Sequence, residues 1–569
     1  MIDSLPPASI LILGAFLVPL FRGRLQQLYL VALPVVSLLH LLSLWSVTPG
    51  PYLTVVLFDH PLTPVRIDGL SLIFGLIFHI VLLLSVIYSL HVRDSVQHVA
   101  GLVYAGAAIA AAFAGDLITL FVFWELTAIS SVFLIWASRS ERSYRAGLRY
   151  LIIHVTSGVL LLAGAVFHFR ATGSLAFDHL GPGTLGTNLI LVAFGIKCAF
   201  PFLHNWLQDA YPEATITGTV FLSSFTTKLA IYALARGFHG MDALIWVGVT
   251  MTIFPIFYAV IENNLRRVLA YSLNNQLGFM VVGIGVGSNM ALNGTVAHAF
   301  VHLLYKSLLF MSMGAVLHRT GTVEASKLGG LYRSMPFTTV FCIVGAASIS
   351  GFPLFSGFVA KSLTLTAVGE NHLLLASMLL LFASTGVLEH SGIKIPYFAF
   401  FSHDSGIRCK EAPWNMLVAM GATAVLCVFI GVNATPLYSI LPFPVDYAPY
   451  NPFTVAHVVP QLQLLFFAIL AFWALQRTGL YPREIPSVNL DTDIVYRKWL
   501  PAMVRGIARV VSHTQRSMSA MVTARVEGTL SSVERHYGPA GAVARSWATS
   551  TSMLWILLLL VTCLVLYYG

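Results

Sequence analysis

Residues 195–214 read GIKCAFPFLHNWLQDAYPEA, and residues 350–361 read SGFPLFSGFVAK. Each stretch sets a helix breaker beside a lysine inside a long apolar tract: Lys197 precedes Pro201, and Lys361 follows Gly351, Pro353 and Gly357. A helix opened at mid-membrane exposes backbone groups that only a polar cavity can satisfy, so broken helices point to an ion path. A proline kink used for packing would need no charge. Here an ionisable residue accompanies both breaks, and that favours the ion path.

The tracts around these breaks extend along nearly the whole chain. Of 569 residues, 57% are hydrophobic and only 10% charged, and the mean hydropathy is +0.81, which excludes a soluble domain with an ordinary polar surface. Apolar runs of roughly 17 to 25 residues recur, each long enough to cross a hydrocarbon core about 30 Å thick. The expected fold class is an all-α polytopic membrane protein of about sixteen transmembrane helices by that length criterion. The expected spans are 8–21, 27–46, 68–91, 99–115, 117–137, 148–168, 188–209, 213–236, 242–261, 269–287, 291–318, 337–364, 372–402, 412–440, 455–476 and 551–568. The first apolar run has no basic segment before it and no small-residue cleavage site after it, so no cleaved signal peptide is expected. The five cysteines are scattered, with no C-x-x-C pair to hold zinc or an iron–sulfur cluster. Neither a phosphate-binding loop nor a dinucleotide fingerprint occurs. No cofactor and no metal are expected, and the energy source is an ion gradient or a partner.

Arginine and lysine crowd the odd-numbered loops (Arg22, Arg24, Arg93, Arg139, Arg142, Arg145, Arg149, Arg266, Arg267, Arg319, Lys327, Arg333, Arg408, Lys410), whereas the even loops carry little beyond Arg66, Arg170 and Arg236. The positive-inside rule then makes odd-numbered loops cytoplasmic. Spans four to eight and nine to thirteen form two sets of five, and an odd number of crossings makes the second set enter from the opposite side, as inverted repeats do. The expected organisation is N-terminal helices at 1–98, a first inverted repeat at 99–236 and a second at 242–402. C-terminal transmembrane helices follow at 403–476, then an amphipathic lateral segment at 477–550 and a terminal anchor helix at 551–569.

A charge at the bilayer centre costs at least about 2.5 to 3.5 kcal/mol, so each must be paired, hydrated or neutral. Five stand out: Glu125, Lys197, Lys228, Lys306 and Lys361. Glu125 and Lys197 are natural partners, because pairing keeps both charged while separation lets desolvation strip the lysine of its proton. In NGTVAHAFVHLLYKSLLF, His298, His302 and Lys306 follow one another at i, i+4 and i+8 along one helix face. That stripe reads as a proton wire, since imidazole passes protons between its two nitrogens and waters bridge the gaps. A lone buried histidine is ordinarily structural; two with a lysine on one stripe are not a lone residue. Metal binding by His298 and His302 lacks an acidic or cysteine co-ligand nearby. Lys228 follows Ser223, Ser224, Thr226 and Thr227, whose hydroxyls suit its head group, and it bridges the two repeats. His154, Glu389, His390 and Lys394 also lie in or near spans. The last three sit close enough to a helix end to snorkel to the interface, so they read equally as path or anchor.

At these residues the chain resembles the antiporter-like subunit family shared by respiratory complex I, membrane-bound hydrogenases and Mrp-type cation/proton antiporters. The matching motifs are WELTAISS, GIKCAFPFLHNWLQDAYPEA, NLRRVLAYSLNNQLGF, HAFVHLLYKSLLF and GFPLFSGFVAK, over roughly residues 60–400. The resemblance implies that Glu125 and Lys197 form the ion pair of the first half-channel. It makes Lys228 the central lysine, His298, His302 and Lys306 the second relay, and Lys361 the terminal lysine of the broken helix. Lys228 without a central histidine looks like the Mrp D-type or complex I M-type chain. The tail, with an arginine-rich segment before a last apolar helix, looks like the L-type. In that segment Val504, Ile507, Val511 and Met518 alternate with Arg505, Arg509, Arg516 and Arg525, as on a helix lying on a membrane surface or strapping a neighbouring subunit. The net charge of +9 comes substantially from it, so no nucleic-acid partner is required.

The function implied is proton translocation within a multisubunit complex of the bacterial inner membrane, an Mrp-type Na⁺/H⁺ antiporter first. A proton-pumping module of a redox-driven complex, a proton-coupled partner for inorganic carbon uptake, and a non-conducting scaffold are the other readings. The expected partners are other membrane subunits, the lipid bilayer, protons and Na⁺.

Overall fold

A computed structural model describes residues 6–57, 59–443, 450–482, 484–486, 489–545 and 548–569. The chain divides into two units, Met1–Asn489 and Leu490–Gly569. The first unit opens with α1 (Ser9–Ala15) and α2 (Gly23–Ser43), then a hairpin of β1 (Gly50–Leu57) and β2 (His60–Ile67). There follow α3 (Gly69–Ser89), α4 (Ser95–Phe113), α5 (Leu117–Trp136), α6 (Glu141–Thr172), α7 (Leu185–Lys197) and α8 (Asn205–Ala210). Next come α9 (Ile216–Ser224), α10 (Thr226–Gly237), α11 (Asp242–Ile261), α12 (Leu265–Val286) and α13 (Asn289–Thr320). The last labelled helices are α14 (Pro336–Ser350), α15 (Ser356–Glu370) and α16 (Leu374–Val387). Helices Trp414–Val432 and Val455–Thr478 complete the bundle.

Side-chain caps start many of these helices. Asp68 accepts from Ser71 N at 2.9 Å, Asp116 from Thr119 N at 2.7 Å, and Ser140 and Thr184 build capping boxes with Ser143 and Thr187. Each satisfies backbone donors that the first turn leaves free.

The chain is an all-helical polytopic membrane protein apart from the β1–β2 hairpin, which lies where the hydropathy pattern places only a loop. Twelve helices among the described residues are long and apolar enough to cross a membrane, against about sixteen expected by length alone. The four other expected spans are also helical, but Ser9–Leu20 is short, α7 and α14 are interrupted, and α12 carries Asn274, Asn275 and Gln276. The eighth expected span is likewise divided: α9 and α10 part at Phe225, and Tyr104 Oη accepts from Thr226 N at 2.9 Å to satisfy the opened turn. The centre of the bundle lies at Ile216–Gly237 and Asn289–Thr320, whose apolar cores are 100% and 94% buried. These helices carry Lys228 and the His298–Lys306 stripe.

The two breaks share one backbone solution. In Ala199-Phe200-Pro201-Phe202 and in Gly351-Phe352-Pro353-Leu354, the first and fourth residues have left-handed φ, 61° and 68° in one, 75° and 70° in the other. Phe200 N donates to Gly195 O at 2.9 Å, and Phe352 N to Ala347 O at 3.1 Å, so both skip the regular α-helical acceptor. Proline supplies no N–H, and the non-glycine residues at positive φ are strained conformers of the kind found at functional sites. The lysines differ in placement. Lys197 ends the helix before its break, whereas Lys361 lies beyond the second break and returns its ammonium to it.

In the second unit, helix Leu500–Tyr537 runs 38 residues and is followed by Thr549–Tyr568. Apolar and arginine residues alternate along the first of these, as the sequence pattern leads one to expect, and neither helix has a buried residue.

Candidate functional site

Lys197 is fully buried. Its Nζ lies 4.4 Å from the Trp124 ring centroid and donates to Thr127 Oγ1 at 2.8 Å and to the Trp124 carbonyl. Trp124 is held by Ser157 Oγ, which accepts from its indole at 3.0 Å and donates to Ala193 O at 2.7 Å. Glu125, the next residue, is within Coulombic reach of Lys197 but is not its hydrogen-bond partner. Its carboxyl lies over Gly158 of α6, where a Cβ would stand 1.4 Å from Oε1. The structure thus shows the separated arrangement of the expected pair, because a glycine on α6 leaves room for the carboxyl and α5 offers the ammonium two closer acceptors. His154 sits between Tyr150 and Trp206, at ring distances of 4.1 and 4.4 Å, and Lys197 is within Coulombic reach.

Lys228 is fully buried just past the α9–α10 interruption and donates to the Ser223 carbonyl at 2.5 Å. The hydroxyls of Ser223 and Ser224 bond backbone instead, and Ser224 Oγ also meets Ser307 Oγ of α13 at 3.2 Å. His302 has Lys228, Lys306, His298 and Lys361 all within Coulombic reach. The α13 stripe is wholly buried, with the His298 and His302 rings 6.2 Å apart. His298 Nε2 meets Tyr305 Oη at 3.0 Å and Gln276 Oε1 at 3.2 Å, and Tyr305 Oη donates to Gln276 at 3.1 Å. Lys361, 3% exposed, donates to Ile349 O at 2.7 Å, the last carbonyl but one before Gly351.

His154, His302 and Lys306 have no hydrogen-bond partner on their side-chain nitrogens among the described residues. Buried polar groups in folded proteins are nearly always bonded to protein or to ordered water. Water reaching such groups would satisfy them, and water linked to imidazole and amine is a medium for proton transfer.

Glu389, His390 and Lys394 do not snorkel. Lys394 and His390 are fully buried on the wide-turn continuation of α16, where Leu388–Ile393 is π-helical. Lys394 Nζ donates to Val260 O at 2.6 Å and pairs with Glu484 at 2.8 Å, and Glu389 accepts from Tyr481 Oη at 2.6 Å. Tyr481 and Glu484 arrive from the stretch after Val455–Thr478, and Val260 from the end of α11. Sequence reasoning missed Tyr305 and Gln276, although three amides in NNQ within an apolar helix are a signal, and it missed Tyr481 and Glu484, which carry none.

The chain's residues 114–388 match the family described as NADH:quinone oxidoreductase/Mrp antiporter, TM. It is 30% identical over 352 residues to the D component of the Na(+)/H(+) antiporter of Alkalihalophilus pseudofirmus, a match covering 57% of this chain and 70% of that protein. It is also 30% identical over 407 residues to the M component of the NADH-quinone oxidoreductase of Pseudomonas aeruginosa, covering 66% and 79%. Its fold matches a chain of the membrane-bound sulfane sulfur reductase, an archaeal respiratory membrane complex, with a TM-score of 0.71 at 22% identity, over 98% of this chain and all of that one. The chain belongs to the NADH:quinone oxidoreductase/Mrp antiporter transmembrane family. That assignment confirms the resemblance carried by WELTAISS and the two broken-helix motifs.

Proposed function

We propose that this chain is the proton-translocating subunit of a multisubunit Mrp-type monovalent cation (Na⁺)/proton antiporter in the bacterial inner membrane. The observation that carries the reading is the buried row Lys197, Lys228, His302, Lys306 and Lys361, running from one broken helix to the other. Likeness to the D component of a Na(+)/H(+) antiporter, over 70% of that protein's length, supports the antiporter form. The units 99–236 and 242–402 act as two inverted half-channels, a division supported by the shared geometry of the breaks at Ala199–Phe202 and Gly351–Leu354. Glu125 and Lys197 form the switch of the first half, Lys228 links the halves, and His298, His302, Lys306 and Lys361 carry the proton through the second. His154, His390, Lys394 and Glu389 extend the row at its sides. The arginine-bearing odd-numbered loops face the cytoplasm.

The other reading is a pumping module of a redox-driven complex. It is favoured by 30% identity to a component of an NADH-quinone oxidoreductase over 79% of that protein's length. Everted vesicles carrying the whole complex, in a host stripped of its own antiporters, separate the two. Dissipation of a preformed pH gradient on adding Na⁺ or K⁺, lost in Lys197→Ala, supports the antiporter. Proton pumping driven by an electron donor without any cation response replaces it with the redox module.

A further inference from the structure

The Glu389–Lys394–Glu484 cluster lies outside the Glu125–Lys361 row, yet His390 joins the two. His390 is fully buried, and Lys306, Lys361 and Lys394 are all within its Coulombic reach. Its Nδ1 meets Ser391 Oγ at 2.8 Å, which donates to Ser272 Oγ at 2.6 Å, while its Nε2 has no partner among the described residues. Lys394 pairs in turn with Glu484, the Lys394 side chain 0% and the Glu484 side chain 6% exposed, and Glu389 is within Coulombic reach of both. Glu389 Oε2 and Glu484 Oε2 have no hydrogen-bond partner either among the described residues. The cluster is closed by Glu262, at the end of α11, which accepts from Asn489 at 3.1 Å and lies 3.7 Å from Arg267. Glu484 lies in the non-helical stretch after Val455–Thr478, between the exposed Pro482 and Ile485.

We infer that Glu484, contributed from beyond the two repeats, is the inlet carboxylate of the second half-path, loading protons from the aqueous side through Lys394 onto His390. The inference rests on the proton-translocating reading above and names the mouth of the same path. Its chemistry balances by charge alone. The Lys394 ammonium gives a proton to His390 Nε2, directly or over one water, and is reprotonated by a Glu484 carboxyl that has taken a proton from the aqueous phase. Glu389, held by the Tyr481 hydroxyl, steadies the ammonium while Glu484 is protonated. Two further features suit this role. Burial pushes the Glu484 carboxyl above the usual carboxylate range, against the opposing pull of Lys394. The π-helical turns that carry Glu389 and His390 are a device concentrated at functional sites. Among the described residues, the groups facing Glu484 are Lys394 and Glu389 from the α16 continuation, Tyr481 from its own stretch, and Glu262 with Arg267 from the α11–α12 end. By the arginine distribution that end faces the cytoplasm, which is the outer face of an everted vesicle.

The test measures proton flux in everted vesicles holding the whole complex, as a function of external pH, for wild type, Glu484→Gln, Glu484→Asp and Lys197→Ala. A carboxyl that shuttles protons predicts that Glu484→Gln loses at least about tenfold in flux and flattens the external pH profile, with Glu484→Asp restoring both. Wild-type flux and profile in Glu484→Gln, with flux lost in Lys197→Ala, overturn the inlet and leave the proposed function standing. Flux retained in Lys197→Ala as well overturns the proposed function itself. Should Glu484→Gln fail to assemble through its unpaired lysine, the double variant Lys394→Met/Glu484→Met replaces the pair by apolar side chains of similar size. Assembly without flux supports the inlet, and assembly with full flux overturns it.

Discussion

Gly158 is where a single methyl group tests the Glu125 switch. A Cβ built there lies 1.4 Å from Glu125 Oε1, 2.4 Å from Cδ and 2.9 Å from Cγ, and these are the far end of a flexible side chain rather than backbone. Gly158→Ala therefore evicts the carboxyl without disturbing the α5–α6 contact, and the helix gains about 1 kcal/mol of intrinsic propensity. Lys197 is the cation within Coulombic reach of the displaced carboxylate, which closes onto it. Two unit charges at about 4 Å with an effective dielectric of about 20 attract by about 4 kcal/mol. If the full attraction must be broken in each cycle, the rate falls about a thousandfold, and partial screening leaves at least about tenfold. The assay is the decay of an imposed pH gradient in everted vesicles, normalised to assembled complex by native gel. Glu125→Asp in the Gly158→Ala background retracts the carboxyl by one bond, about 1.5 Å, and should recover flux. Wild-type flux in a normally assembled Gly158→Ala complex would refute the switch.

Other perturbations act on different links of the same chain of cause. Thr127→Val removes one of the two hydrogen bonds on the Lys197 ammonium, a loss of about 1.5 to 3 kcal/mol in the state that holds it. Its flux should change by about tenfold or more, and its melting temperature in detergent should fall with the lost bond. Gly357→Ala places a Cβ 1.8 Å from Ser348 O, a backbone atom in the second break, so the break must shift. Such overpacking costs about 1 to 3 kcal/mol, seen as a lower melting temperature, together with loss of flux. Arg149→Ala breaks two hydrogen bonds, at 2.6 and 2.9 Å, to Asp209, whose side chain is 9% exposed. Stability should fall by about 2 kcal/mol, and a complex melting like wild type would show that the pair is not needed to hold α8.

Much of this architecture is written in local patterns. Apolar length locates the helices, and proline beside lysine locates both breaks, because these properties depend on residues close together in the chain. The His298–His302–Lys306 stripe is legible for the same reason, since helical periodicity alone puts the three on one face. The separation of Glu125 from Lys197 is not legible. It depends on Gly158 of another helix having no side chain at that level, and on Thr127 and the Trp124 carbonyl competing for the ammonium. Sequence leaves Lys394 between path and interfacial anchor because it shows the residue near a helix end, while Tyr481 and Glu484 lie about ninety residues away. The hairpin escapes a reading by pattern because its alternation is short and its β1 strand is mostly exposed.

The account turns on one row of buried groups carrying protons through both halves, and Lys228 is the residue through which that row must pass. The direct measurement is proton flux driven by an imposed membrane potential in proteoliposomes of the purified complex, comparing wild type with Lys228→Met. Methionine keeps the volume and length of the buried side chain while removing its proton site. The account predicts an assembled complex with flux reduced to background. Flux equal to wild type in that complex would contradict it.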